Sequence, residues 1–335
     1  MERRFRGQES VVRSKGSVVR GQESVGRSQE LGDRMNLTSP SQVKAWCIEN
    51  GFHPNRVLGQ NFLIDRNALE AIVDAGLAGV AKDSGAAILE IGPGLGVLTE
   101  EILKRGCSVT AVEKDPVLAA RLAESLGNPP NLNVVEADAL DWIADRVCSP
   151  SGPRAPRRDA PTRTDLDCND YDDIVPQFDA MVSNLPYQAG TRILLELVQR
   201  HDIPSMTVLV QTEVAERLAA KEGSKTRGLA GVWAQLDYDV KIVRKVAASC
   251  FWPRPEIGSS VITLTRHDRN IALSDKERDV FHRLTKKAFE HRRKQLGSIF
   301  KDLIQLSLRA EELANEDWIN LSKGIAENED SRTVS

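Results

Sequence analysis

The stretch EIGPGLG, residues 90–96, joins an apolar run, AAILEIG (86–92), to a helix-patterned segment, GVLTEEILKRG (96–106). Glycines between a strand and a helix let a ligand approach both the backbone and the positive end of the helix. Several kinds of α/β protein use this device, so the spacing must discriminate among them. The dinucleotide fingerprint is G-x-G-x-x-G. Here the glycines fall at Gly92, Gly94 and Gly96, and Val97 stands where the third fingerprint glycine belongs. The nicotinamide-dehydrogenase pattern fails by one residue, and no plausible hydride-transfer site accompanies it. A Walker phosphate loop fails too, because no G-K-[ST] follows.

Outward from the loop, strand and helix signals alternate. SVTAVEKD (108–115) reads as a strand, PVLAARLAESLG (116–127) as a helix and NLNVVEADAL (131–140) as a strand. FDAMVSN (178–184) is a further strand, TRILLELVQR (191–200) a helix, SMTVLVQ (205–211) a strand, and TEVAERLAAK follows. Such alternation predicts a mostly parallel sheet covered by helices on both faces. Upstream, SPSQVKAWCIENG and RNALEAIVDAGL read as helices, with Pro40 just inside the start of the first.

Two acids follow the loop in order. Glu113, twenty-one residues after Gly92, ends the second strand, where a carboxylate can accept from both hydroxyls of a ribose. Asp138, in the loop after the third strand, is placed to accept from an adenine amino group. Either acid could instead be a helix N-cap. Loop, first acid and second acid occur at three successive strand ends, the edge where open α/β sheets bind ligands. No phosphate-binding cation accompanies them, which points to a nucleoside rather than a nucleotide. S-adenosyl-L-methionine meets that description.

At the end of the fourth strand stands SNLPY (183–187). Proline has no N–H, fixes its own φ and drives the preceding residue toward an extended conformation. Asn184 and Tyr187 are therefore held on a stiff corner. An exocyclic amine is a poor nucleophile because its lone pair is delocalised into the ring. Acceptors at the Asn184 side-chain oxygen and the Leu185 carbonyl could make that nitrogen more pyramidal, and Tyr187 could stack on the base.

Bulk properties narrow the class. The chain has 335 residues, 41% apolar and 28% charged, with a net charge of −3, which suits a soluble globular protein without a membrane-spanning run. Cys47, Cys107, Cys148, Cys168 and Cys250 are scattered without metal or disulfide spacing, so no metal site is expected and a reducing, cytoplasmic setting is. Residues 1–34 contain a repeat, RGQESVVRS (6–14) and RGQESVGRS (20–28), and read as a disordered extension ahead of Met35. Glu2, Glu9, Glu23, Glu30 and Asp33 argue against a mitochondrial transit peptide. Residues 148–173 read as a disordered insertion within a domain spanning 35–265. A separate helical unit is expected over 266–324, followed by an acidic tail, 325–335. Seven Lys/Arg between Arg283 and Lys301, against Glu290 alone, keep an RNA-facing surface open.

With these stretches in view, the chain resembles the KsgA/RsmA family of bacterial small-subunit rRNA adenine N6,N6-dimethyltransferases. NLTSPSQVKAW (36–46), LGQNFLID (58–65), LEIGPGLGVLT (89–99), VEKD (112–115), NLPY (184–187) and QTEVAERL (211–218) carry the resemblance. FWPRPEIGSSV (251–261), KKAFEHRRKQL (286–296) and RAEELANEDW (309–318) extend it, so that it runs from about 36 to 323. It implies a Rossmann-like class I SAM-dependent methyltransferase with a smaller all-helical C-terminal domain. Asn61 and Leu63 would cover the cofactor, Gly92 would contact its methionine part, and Glu113 and Asp138 would take its ribose and adenine. Asn184 would lie between cofactor and target base, and Tyr187 and Phe251 would sandwich the flipped adenine. The substrate implied is two adjacent adenosines in the 3′-terminal hairpin loop of small-subunit rRNA, within a 30S assembly intermediate, acted on by a monomer. The basic helix 283–301 would lie along RNA phosphates.

Three positions depart from the family's usual residues: Gln188 in place of Asn, Ala137 in place of Gly, and Arg227 in place of an aromatic. Two related readings stay open beside this one. One is an enzyme acting on a large-subunit adenine and conferring antibiotic resistance, disfavoured by the helical C-terminal unit and FWPRPEIGSS. The other is an RNA-binding assembly factor without catalysis, disfavoured by the intact EIGPGLG, Glu113, Asp138 and NLPY.

Overall fold

The computed structural model describes residues 35–55, 59–145, 178–200, 203–267, 273–301 and 306–333. The expectations for 1–34 and for the 148–173 insertion lie outside them. A central sheet of seven strands is built from β2 (Ala87–Ile91), β3 (Ser108–Glu113), β4 (Leu132–Glu136), β5 (Ala180–Asn184), β6 (Ser205–Gln211), β7 (Tyr238–Val246) and β9 (Ser259–Arg266). Their order is β4-β3-β2-β5-β6-β9-β7, with β2 to β6 mutually parallel and β9 antiparallel to both of its neighbours, β6 and β7. Two short strands, β1 (Phe62–Leu63) and β8 (Phe251–Trp252), pair apart from the sheet.

The central parallel strands are nearly continuous apolar runs because both faces are covered. Leu89, Met181, Met206 and Val208 are fully buried in one cluster with Leu194 and Leu218 from the flanking helices. Each such side chain contributes about 1.5–3 kcal/mol of burial. Helices begin where local chemistry permits. Pro116 opens the helix Pro116–Ser125 directly after Asp115, whose carboxylate accepts from the Val117 and Leu118 N–H groups. Ser274 and Glu277 form a capping box at the start of Asp275–Glu290.

The helix Leu229–Asp237 and the antiparallel pair β7 and β9 had no counterpart in the sequence reading. β7, YDVKIVRKV, is an edge strand carrying Lys241, Arg244 and Lys245 on largely exposed positions, so it lacks the apolar alternation of a half-buried strand.

The C-terminal part differs from expectation in three respects. The described residues from 36 onward form one compact unit, in which Val232 and Leu236 of the helix Leu229–Asp237 complete a core with Phe281, Leu284, Trp318 and Ile319. Arg227 ties the two parts further. It is buried and donates to Ala220 O (3.0 Å), Gln235 Oε1 (3.2 Å) and Asn315 Oδ1 (2.7 Å). Next, the basic segment is not one helix, because Asp275–Glu290 ends before His291 and only the short Leu296–Ile299 follows. Finally, the last helix runs over Asn315–Thr333, through most of the expected acidic tail. It sets Glu329 beside Arg283 (3.3 Å), so the charges segregated along the chain partly meet in space. Lys286, Arg293, Lys294 and Lys301 stay exposed and carry no ion pair among the described residues.

The strand order positions the site. β2 has β3 on one side and β5 on the other, so the connections leaving β2 and β5 diverge and open a crevice at their C-terminal ends. Ser183 fastens this point, its hydroxyl oxygen accepting from the buried Ile91 N–H at 2.9 Å. The glycine loop and NLPY are thereby held side by side.

Candidate active site

A cavity of about 220 Å³ occupies the crevice. Asn61, Leu63, Gly92, Glu113, Asp138, Asn184, Leu185 and Tyr187 all line it, brought from five separate segments of the chain. Gly92 adopts a left-handed φ of 69°, and a Cβ there would come 3.7 Å from Pro186 and 3.9 Å from Asn184 O. The missing side chain is thus part of the gap between the glycine loop and NLPY, a cradle that a larger residue would fill.

Glu113 is buried, and each of its carboxylate oxygens accepts one backbone N–H. Gly94 N donates to Oε2 at 3.0 Å and Asp115 N to Oε1 at 2.9 Å. Burial pushes its pKa up, and these backbone donors work against that shift. Each oxygen keeps lone-pair capacity for a hydroxyl donor. Asp138 takes up the capping position that its place in the chain allowed and pairs with a cation besides. Oδ1 accepts from Leu140 N at 2.8 Å at the start of Ala139–Asp145, while Oδ2 meets Lys114 Nζ at 2.7 Å. The Lys114 ammonium holds the Asp138 carboxyl below the usual range. A cation does therefore line the cavity, contrary to the sequence expectation, but Asp138 neutralises it.

Asn184 donates from Nδ2 to Asn61 O at 3.1 Å. The reversed amide would set two oxygens against each other, so the bond leaves Oδ1 as the remaining acceptor of a residue that lines the cavity. Tyr187, partly buried, shares a 2.6 Å hydrogen bond between its phenol and the Ser259 hydroxyl, which fixes the ring. Burial raises its pKa, and Ser259 opposes the shift.

Phe251 is the exception. It is buried, lies opposite Leu63 in the β1–β8 pair and does not line the cavity. Alternation along β8 turns the more accessible neighbour, Trp252, outward, where it stacks on Phe62 with centroids 6.4 Å apart. The expected aromatic sandwich of Tyr187 and Phe251 is thus not assembled in this structure.

Glu90 was missed because it reads as a polar interruption of an apolar strand. It lines the cavity, is 1% exposed, and accepts from the Thr99 hydroxyl at 2.7 Å. Burial pushes its pKa up to about 8; the Thr99 bond opposes this and nearby Glu113 adds to it. A carboxyl protonated in the fold but ionised when unfolded stabilises least at high pH. Its contribution is fully present below about pH 4.5 and is lost as pH rises through about 8. Thermal melts from pH 5 to 9 should show the wild-type midpoint falling relative to that of Glu90→Gln across this window. Parallel curves would refute the assignment.

A mostly parallel sheet with its cavity at the β2/β5 reversal, a glycine cradle and two strand-end carboxylates define a Rossmann-like class I methyltransferase. Two solved structures share the fold. A dimethyladenosine transferase from Plasmodium falciparum matches with a TM-score of 0.59 and 21% identity, over 77% of this chain and 95% of that one. The 23S rRNA methyltransferase ErmE matches with a TM-score of 0.55 and 22% identity, over 78% of this chain and 98% of that one. In sequence, the family model described as Ribosomal RNA adenine dimethylase matches residues 51–328. The Ribosomal RNA small subunit methyltransferase A of Deinococcus radiodurans is 40% identical over 69% of this chain and 68% of its own length. That of Geobacillus thermodenitrificans is 35% identical over 78% and 80%. The chain belongs to the ribosomal RNA adenine dimethylase family.

Proposed function

We propose that this enzyme dimethylates N6 of two adjacent adenosines in the 3′-terminal hairpin loop of small-subunit rRNA, acting as a cytoplasmic monomer on a 30S assembly intermediate. The observation carrying this reading is the Asn184 amide, in a residue that lines the cavity with Leu185, whose Nδ2 is engaged by the Asn61 carbonyl so that Oδ1 is left as its acceptor.

The cavity fits S-adenosylmethionine in chemistry. Glu113 offers acceptors to the two ribose hydroxyls, Asp138 offers one to the adenine amine, and the open face of Gly92 admits the methionine part. When bound, S-adenosylmethionine supplies an electrophilic methyl group. Asn184 and Leu185 accept hydrogen bonds from the two N6–H groups before the first transfer and from the one that remains before the second, draw the amine toward pyramidal geometry and aim its lone pair at the donor. Holding the nucleophile in such a near-attack arrangement is worth several kcal/mol, up to about 7–11 in well-oriented models. Tyr187 supplies a stacking face, about 1–3 kcal/mol per base. Pro186 keeps the corner stiff. Exposed Lys286, Arg293, Lys294 and Lys301 suit RNA phosphates, so binding should weaken with salt.

A large-subunit target is the second reading. Likeness to ErmE bears on the fold alone, whereas relatives at 32–40% identity carry the small-subunit name. The test is transfer from tritiated S-adenosylmethionine to small and large ribosomal subunits from a strain lacking this modification. Label should appear in N6,N6-dimethyladenosine of the 3′-terminal hairpin. Label only in large-subunit rRNA, or none, would overturn the proposal.

A further inference from the structure

Residues Gly59–Leu63 cross the cavity as a strap that touches both of its walls. On the nucleoside side, Gln60 Nε2 donates to Asp115 Oδ2 at 3.0 Å, and the Phe62 ring lies against Gly94. On the other side, Asn61 O accepts from Asn184 Nδ2. Gly59 packs so closely on NLPY that a Cβ there would lie 3.2 Å from Tyr187 N. The far end is pinned by the β1–β8 pair and by Ile64 N donating to Cys250 O at 2.8 Å.

Gln60 is oriented from both ends. Its Oε1 accepts from Asn55 N at 2.7 Å, which directs Nε2 to Asp115. Asp115 uses its other oxygen to cap Pro116–Ser125, and its own N–H donates to Glu113 Oε1. Hydrogen bonds therefore run without a break from the strap through Asp115 to the Glu113 carboxylate and on to Gly94 N. One residue along the strap, the Asn61 carbonyl decides which way the Asn184 amide faces. Two tasks, covering the cofactor and presenting the acceptor to the target amine, depend on one five-residue segment.

We propose that Gln60 is a positioning residue whose bond to Asp115 holds the strap over the cofactor and, through Asn61, sets the Asn184 amide, so that cofactor and target amine are engaged together. This rests on the reading of Glu113 and Asn184 given above. Gln60→Glu puts a carboxylate against that of Asp115 and should open the strap. Asp115→Asn keeps the helix cap, since Asn caps as well as Asp. In the double variant, the new amide at position 115 would donate to the new carboxylate at position 60, whose second oxygen still accepts from Asn55 N.

The test measures S-adenosylhomocysteine affinity by calorimetry, kcat on unmethylated small subunits at saturating cofactor, and the melting midpoint. A bond to a charged group predicts a loss of roughly tenfold to a hundredfold in affinity for Gln60→Glu. At saturating cofactor, kcat should also fall several-fold, and Gln60→Glu/Asp115→Asn should restore both with little change in melting. Unchanged affinity, or no rescue in a folded double variant, would overturn the proposal. Weakened affinity with wild-type kcat would refute the coupling to Asn184. If the wild type labels no adenine at all, the functional reading fails, while the calorimetric arm still decides the clasp.

Discussion

Asn184→Ala should abolish methyl transfer while leaving the cofactor bound. The variant removes the side-chain acceptor of a residue that lines the cavity next to Leu185, and water in its place has no fixed direction. Removing a preorganised group at the reacting centre costs about 10²–10³ in kcat. Loss of alignment adds to that, because the amine lone pair must meet the methyl group in line. The same change also breaks the Asn184–Asn61 bond, a neutral hydrogen bond worth about 0.5–1.5 kcal/mol, so cofactor affinity should drop by no more than about tenfold. Single-turnover transfer and S-adenosylhomocysteine calorimetry separate the two effects. Equal losses in both would remove Asn184 from the chemistry and make it a strap contact only.

The second large effect falls on binding. Glu113→Ala deletes the acceptors for both ribose hydroxyls and strands the Gly94 and Asp115 N–H groups that its carboxylate now satisfies. Each hydrogen bond to a charged acceptor is worth about 1.5–3 kcal/mol, so cofactor affinity should fall at least about a hundredfold. Glu113→Gln should recover little, because its amide nitrogen would face one of the two backbone donors. Calorimetry with S-adenosylhomocysteine reads this directly, and a Kd within about threefold of wild type would sink the role. A lowered melting midpoint should accompany the loss, as the glycine loop leans on the same carboxylate.

Much of this site was legible in sequence because its parts lie at strand ends. The glycine spacing excluded a dehydrogenase. The distances from Gly92 to Glu113 and to Asp138 followed from two strand–helix–strand repeats of ordinary length. SNLPY announced a stiff corner through its proline. Phe251, which the resemblance set against the target base, is buried opposite Leu63, and the side a two-residue strand turns inward depends on its partner. Glu90 illustrates the same limit, since a carboxylate in an apolar run signals nothing until its burial is known. Gln60 and Asp115 are 55 positions apart, and no local pattern relates them.

By itself, the sequence determined the parallel α/β layering, the nucleoside-binding edge and the stiff proline corner after β5, because hydrophobic period, glycine placement and proline act over a few residues. Only the tertiary structure decided the β2/β5 reversal, the joining of the C-terminal helices to Leu229–Asp237 and the partial pairing of charges that the chain keeps apart. It also settled the direction of the Asn184 amide. That direction is set by the Asn61 carbonyl, 123 residues away, and a contact of that span exists only once the sheet has closed.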